Sequence, residues 1–353
     1  MNFREQTEAR ESDFLSPYAV LSAACRGRVQ PEEPDSVRTE FQRDRDRLIH
    51  VCQAFRRLAH KTQVFIATTQ DHFRTRLSHT LEVSQIARTV AKALRLNEDL
   101  VEAISLGHDV GHTPFGHAGE DALDLVYREY DPQARFAHHE HSLRVVDCLE
   151  REGRGLNLSY ETREGILAHS KSMTDLAYDL AHTKPPSLEA MVVRLSDRIA
   201  YVNHDLDDSL HAGLLTREQV PREITDVLGL RHGQRVARMV EDLIAHSQEA
   251  PRLQMSAEVL EATDALKNFL VERIYQAEWM QREASKARSI VTTLFHIYMR
   301  ESDSLAGSDF AANTAEERAR LVADYVAGMT DRFACERYLQ YMLPAGAASY
   351  GAE

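Results

Sequence analysis

Between residues 75 and 95 the chain sets Leu77, Leu81, Ile86, Val90 and Leu94 four or five positions apart, with polar residues between them. That spacing keeps one face of a 3.6-residue turn apolar and predicts a helix over 75–95. The same pattern predicts helices over 98–109, 140–151, 162–169, 187–211, 256–275, 281–300 and 314–342, while alternating β-branched runs are scarce. The predicted fold class is all-α. Loop compositions fall at QPEEPD (30–35), YDPQARF (130–136), REGRGLN (151–157), HTKPPS (182–187), LRHGQ (230–234) and GSDFAANT (307–314). None is long enough to read as a linker, and no internal repeat is visible, so a single large helical unit is expected. The small residues of 343–353 predict a flexible tail.

Composition narrows this picture in three ways. With 353 residues, 43% of them hydrophobic, the chain can bury a sizeable core. A formal charge of −13 argues against a generally basic nucleic-acid coat, so any anion site must be local. Cys25, Cys52, Cys148 and Cys335 stand far apart with no CxxC pair, which fits free thiols in a reducing compartment and makes a cytoplasmic location the expectation. The N-terminus mixes both charges, and no stretch approaches eighteen apolar residues, so neither a signal peptide nor a membrane partner is expected.

The chemistry concentrates in GHDVGHTPFGHAGE, residues 107–120, with three histidines, two acids, four glycines and a proline in fourteen residues. His108 and His112 are four apart, as in zinc-protease helices, but Gly111 and Pro114 break the helix, leaving His108-Asp109 at a helix C-terminus before a structured loop. An adjacent imidazole and carboxylate form a mixed N/O donor pair suited to Mn, Fe, Co, Zn or Mg. His79, flanked by Leu77 and Leu81, and Asp197, set among Val192, Val193, Leu195, Ile199 and Val202, are polar groups on apolar helix faces. A buried carboxylate needs a counter-charge, which a metal or an internal salt bridge would supply. His117 and Glu120 are three apart, close enough for the carboxylate to orient the ring. There is no GxxxxGK phosphate loop, and the densest basic region is 38–76. In it Arg43, Arg45 and Arg47 read equally well as a self-paired solvated face, whereas Arg76 lies one turn before His79 and can share its face.

His79, His108-Asp109 and Asp197 resemble the H…HD…D signature of the HD-domain metal-dependent phosphohydrolases, an all-α superfamily. RTEFQRDRDRLIH, FRRLAHKTQVF, HFRTRLSHTLEVSQIART, GHDVGHTPFGHAGE, VVRLSDRIAYVNHDLDD and DYVAGMTDR together resemble the deoxyguanosine triphosphate triphosphohydrolase family, over roughly residues 17–340. The resemblance implies an HD-domain helical fold with a catalytic core about 60–215 and additional C-terminal helices about 216–342. It implies hydrolysis of a deoxynucleoside triphosphate to the deoxynucleoside and tripolyphosphate, with a divalent metal ion (Mn, Mg, Fe, Co or Zn) on His79, His108, Asp109 and Asp197. It assigns His117 and Glu120 to catalysis, His112 and His138 to the phosphates, and Gln63, Tyr201 and Asp205 to the nucleoside; Arg76 and Arg198 would neutralise charge on the triphosphate. Where relatives tend to read F-x-H-N, this chain has FAHHEH, which leaves open which of His138, His139 and His141 faces the site. Deoxynucleoside triphosphates as substrate and as activator, and a homo-oligomer, are the implied partners. The alternatives are an HD hydrolase of another nucleotide ester, or a non-catalytic nucleotide-sensing or single-strand-binding protein; the sequence has no feature that supports single-stranded nucleic acid.

Overall fold

A computed structural model describes residues 1–65, 73–170, 174–301, 312 and 314–344. Among them are sixteen α-helices and no strands. In chain order these are α1 (Phe3–Phe14), α2 (Glu40–His50), α3 (Gln53–Arg57), α4 (Arg76–Ala93), α5 (Glu98–Gly107), α6 (Gly116–Arg128), α7 (His138–Arg144) and α8 (Tyr160–Ala168). They continue with α9 (Leu176–His182), α10 (Leu188–His211), α11 (Arg222–Leu228), α12 (His232–Ser247), α13 (Ala257–Leu270), α14 (Glu278–Arg300), α15 (Ala315–Ala327) and α16 (Asp331–Met342). No described helix is long and apolar enough to cross a membrane. Most of the expected tail, from 345 onward, lies outside the described residues.

The apolar stripe over 75–95 forms α4, whose first turn is closed by Thr75: its side chain accepts from the Ser78 N–H. The helix predicted over 256–275 is α13 followed by a wider π turn at Val271–Tyr275. The one predicted over 314–342 is two helices, because the chain breaks after Ala327 and restarts where the Thr330 side chain caps the Phe333 N–H. Both halves turn apolar residues inward, so periodicity alone does not reveal the break. Four helices of eleven or more residues escaped the pattern: α1, which buries no residue, α2 under its run of charges, α6 behind the glycines of its first turn, and α12, which begins inside the LRHGQ loop composition.

Three apolar clusters hold the helices. Val83, Ile86 and Val90 of α4 join Val101 and Ile104 of α5, Val192, Leu195 and Ile199 of α10, and Leu266 and Leu270 of α13. Leu123 and Val126 of α6 join Leu294 and Phe295 of α14 and Val322 and Val326 of α15. Leu48, Leu58, Leu106, Val145 and Ile166 form the third. Each fully buried side chain of this size contributes about 1.5–3 kcal/mol. That gain offsets the desolvation of the polar groups carried by the inner ends of α4, α5, α8 and α10.

Candidate metal centre and active site

The segment after α5 is held by backbone contacts. A Cβ on Gly111 would lie 2.1 Å from the Ser142 backbone nitrogen and 2.6 Å from the His138 carbonyl, so α7 can approach this turn only because the position is glycine. Ser142 Oγ accepts from the Gly111 N–H at 2.9 Å and donates to the His108 carbonyl at 2.7 Å, and His141 Nδ1 donates to the Gly111 carbonyl at 2.9 Å. Phe115 takes a left-handed conformation (φ 62°), with its N–H on Asp331 Oδ1 at 2.9 Å. Asp331 also accepts from the Thr62 N–H (2.8 Å) and hydroxyl. Buried Lys61 donates to the carbonyls of His112 and Ala327, and burial, reinforced by Arg57, pushes its pKa down to about 7. Replacing Asp331 by alanine removes an acceptor from two backbone N–H groups beside the active segment. We expect about 2–4 kcal/mol lower stability in chemical denaturation and a parallel loss of activity; unchanged stability would show that the clamp is redundant.

His79 of α4, His108 and Asp109 bring ligand atoms within 4.8 Å of one another, and Asp197 of α10 stands 3.3 Å from His79 Nε2. His108 Nε2 is 3.4 Å from Asp109 Oδ1. The hydrogen-bond network sets the tautomers. His108 Nδ1 lies 2.6 Å from the Ser105 carbonyl, which can only accept, so Nε2 carries the lone pair; it has no hydrogen-bond partner among the described residues. His79 Nδ1 is 2.9 Å from His204 Nε2, and His204 Nδ1 is 2.7 Å from Asp205 Oδ1. The His79 and His204 rings share one proton along this contact, and His79 Nε2 faces Asp197 Oδ1 on the other side. Burial keeps His79 below the ordinary histidine pKa, hence neutral. Burial works against charge on Asp109 too, but the His108 ring and the Arg76 guanidinium, 2.9 Å from Oδ2, hold its carboxyl well below the usual carboxylate range. Lone pairs and carboxylates thus face one another in a dry pocket. Their 3.3–3.4 Å separations match the edge, about 3.4 Å, of a tetrahedron with bonds of about 2.1 Å. The donor set fits a divalent cation.

Glu120, near the start of α6, serves two rings. It accepts from His117 Nδ1 at 3.1 Å, from His138 Nδ1 at 2.9 Å, and from the His138 backbone N–H at 2.7 Å. His138 is stacked on His112, with centroids 4.0 Å apart. The His117 side chain is three-quarters exposed at the mouth (75%), while that of Glu120 is largely covered (14%). The groups packed about its base oppose charging of His117, but the bond to Glu120 prevails and raises its pKa. Of the three candidate histidines, His138 faces this cluster; His141 is buried against the Gly111 turn and Asp324, and His139 lies beside them, half-buried.

The remaining candidates fall on both sides of the centre. Arg198 is buried, with Nη2 on the Thr174 carbonyl at 2.9 Å, while its Nε and Nη1 have no hydrogen-bond partner among the described residues. Its guanidinium lies 5.6 Å from the Tyr201 ring centroid, and burial raises the Tyr201 pKa. Gln63 keeps a buried, unpartnered Oε1 among the described residues. Asp205 stands behind His79, held by the Tyr275 hydroxyl and His204. The basic stretch is mostly neutralised: Arg43 pairs with Glu32 and Glu40, Arg45 with Asp46, Asp99 and Glu102, and Arg47 with Glu32. Arg76 alone of that group reaches the centre.

The HD domain family matches residues 76–202, and the phosphohydrolase-associated domain family matches 253–340. A deoxyguanosinetriphosphate triphosphohydrolase-like protein of Caldanaerobacter subterraneus subsp. tengcongensis is 48% identical, covering 98% of this chain and 97% of its own. Proteins of the same description from Desulfatibacillum aliphaticivorans (46% identical; 98% and 99% covered) and Ralstonia nicotianae (44%; 92% and 93%) are also similar. The chain belongs to the deoxyguanosinetriphosphate triphosphohydrolase-like family. It is therefore an HD-domain phosphohydrolase of a metal-dependent family, with a His/Asp cluster able to hold the ion.

In this triphosphohydrolase-like chain the HD match contains His79, His108, Asp109 and Asp197, while the associated domain supplies Ala327 and Asp331 to the active segment. Sequence reasoning missed His169, His204 and Tyr275. His204 carried a signal, lying seven residues after Asp197 and so on the same face of α10. His169, at the C-cap of α8, read as an ordinary helix end.

Proposed function

We propose that this chain hydrolyses a deoxynucleoside triphosphate to the deoxynucleoside and inorganic tripolyphosphate, using a divalent ion held by His79, His108, Asp109 and Asp197. The observation that carries the proposal is a buried set of imidazole nitrogens and carboxylates bordered by Arg76, by Arg198 with two unpartnered nitrogens among the described residues, and by a histidine tethered to Glu120. The ion supplies Lewis acidity toward a phosphoryl oxygen and toward water. Arg76, His112 and Arg198 place donors where a triphosphate gathers negative charge. A buried guanidinium with open N–H groups is costly unless an anion takes them. Water adds to the α-phosphorus, the bond from that phosphorus to the 5′ oxygen breaks, the deoxynucleoside leaves with its 5′ oxygen, and the tripolyphosphate keeps the water oxygen on its α-phosphorus. The raised pKa of His117 keeps a proton on the ring, which fits it to protonate the leaving 5′ oxygen; Glu120 then stabilises and orients it. Stacking on Tyr201 suits the sugar, and the base preference is left to the assay.

Purified protein incubated with each deoxynucleoside triphosphate, singly and mixed, with Mn or Mg, should release tripolyphosphate and no orthophosphate. Pyrophosphate or orthophosphate as the first product, or no turnover with any mixture, would refute the reading.

A further inference from the structure

Arg235 of α12 is a buried cation without an anion. It is 2% exposed, yet among the described residues no carboxylate forms an ion pair with it. Its Nε donates to Asn203 Oδ1 at 3.0 Å and its Nη1 to the Leu230 carbonyl at 3.1 Å, while Nη2 has no hydrogen-bond partner among those residues. Asp207 acts on it only at a distance, being engaged by Arg74 and His211. Burial pushes the guanidinium pKa below the ordinary arginine value; Asp207 opposes this and Arg217 adds to it. An arginine keeps its proton in a protein all the same, so the charge remains and calls for a counter-charge.

The same side chain lines a cavity between α10, α11 and α12, together with the exposed Arg217. Leu206 and Leu210 of α10 and Leu230 supply apolar walls, Thr225 is the one uncharged polar side chain, and no carboxylate lines the space. Two guanidinium groups thus share one cavity in a chain of formal charge −13. We propose that this cavity binds a monatomic anion, chloride, on Arg235 Nη2, with Arg217 as the second positive charge.

The lining selects that ligand. Two arginines and no acid exclude a cation. The enclosed space is about 10 Å3, room for one water-sized particle and not for a phosphate or a nucleotide. Water fits but brings no charge, and it needs two to four polar partners where these walls are mostly apolar. Thr225 offers it no proton, because the hydroxyl donates to the Arg222 carbonyl at 3.3 Å. A halide takes N–H donors and asks for nothing in return. Leu230, 63% exposed, can yield to an ion slightly larger than water.

Occupancy reaches α10 through Asn203, whose Nδ2 donates to the Ile199 carbonyl at 2.8 Å and lies 3.3 Å from Met239 Sδ. Fixing the guanidinium therefore strengthens the packing of α12 on α10, and the quantity to measure is stability rather than rate. The site does not depend on the hydrolytic reading, nor that reading on it.

Metal-free protein, without nucleotide, is melted at fixed ionic strength while sodium gluconate is exchanged for sodium chloride or sodium bromide. A ligand of the native state raises the melting temperature as its site fills. For wild type the rise should reach a few degrees and level off with either halide. Arg235→Met and Arg235→Gln should show only the general effect of exchanging one salt for another, with no plateau. Crystals grown in sodium bromide should carry an anomalous peak beside Arg235 Nη2. Equal melting curves in gluconate and halide, a plateau kept in both variants, or water alone at Nη2 in the bromide crystals would each overturn the site. If neither variant folds, the wild-type titration and the bromide peak still decide.

Discussion

Asp109→Asn should lose bound metal and activity together while keeping its helical content. Asp109 is the residue on which the centre converges, with His108 and His112 3.4 Å from Oδ1 and Arg76 2.9 Å from Oδ2. Asparagine preserves the volume and an acceptor for Arg76 but removes the charge that a divalent ion requires. Alanine is the less clean substitution, because it strands the buried Arg76 guanidinium, a loss of about 3–5 kcal/mol when one partner of a buried pair is deleted. A bound ligand at about one hundred times its dissociation constant stabilises a protein by about 2.7 kcal/mol. Manganese should therefore raise the wild-type melting temperature and leave that of Asp109→Asn unmoved. Metal content measured by elemental analysis checks the first half, a thermal shift the second; full occupancy in Asp109→Asn would remove the assignment.

The second large effect belongs to His117. His117→Ala should retain metal and nucleotide binding and lose kcat by about 10²–10⁴-fold, the usual contribution of a positioned acid or base. The sign of the pH dependence follows from the shift. A general acid works protonated, so kcat should be flat below the raised pKa of His117 and fall by about tenfold per pH unit above it, a limb absent from the residual activity of His117→Ala. Glu120 holds His138 as well as His117, so Glu120→Gln should approach the His117→Ala defect, and the double variant should add little to either alone. If His117 were only a phosphate contact, KM would rise with kcat nearly unchanged, and that result would end the proton-transfer assignment.

The residues of the site were readable to different depths for physical reasons. His79 and Asp197 were visible as polar groups on apolar stripes, and such stripes are local. His138, His139 and His141 lie within four residues, too close for periodicity to rank; the choice was made by α6, which brings Glu120 to His138, and by the glycine turn that engages His141. The arginines of 38–47 gave a strong charge signal and little chemistry, because their acids come from Glu32, Glu40, Asp99 and Glu102, partly on other elements. Asp205 matched a nucleoside-contact motif, yet the fold places it against His204 and Tyr275, the latter carried in by the π turn after α13.

By itself the amino-acid sequence determined the all-α class and the helical frame of α4, α5 and α10, since these depend on 3.6-residue periodicity, whereas His79, His108, Asp109 and Asp197 were gathered into one candidate ligand set by their resemblance to the H…HD…D signature. Only the tertiary structure decided which lone pairs are free and where they point. A tautomer is set by the acceptor behind the ring: Ser105 for His108, Ile166 for His169 and Glu120 for His138. Two of those acceptors are backbone carbonyls three residues back, while Glu120 lies 18 positions from His138 and the His204 ring that meets His79 lies 125 positions away, juxtapositions that no local pattern encodes. The same is true of the active segment, which is held from outside by Lys61 and Asp331, because a glycine-rich turn has too few side chains of its own to fix its shape.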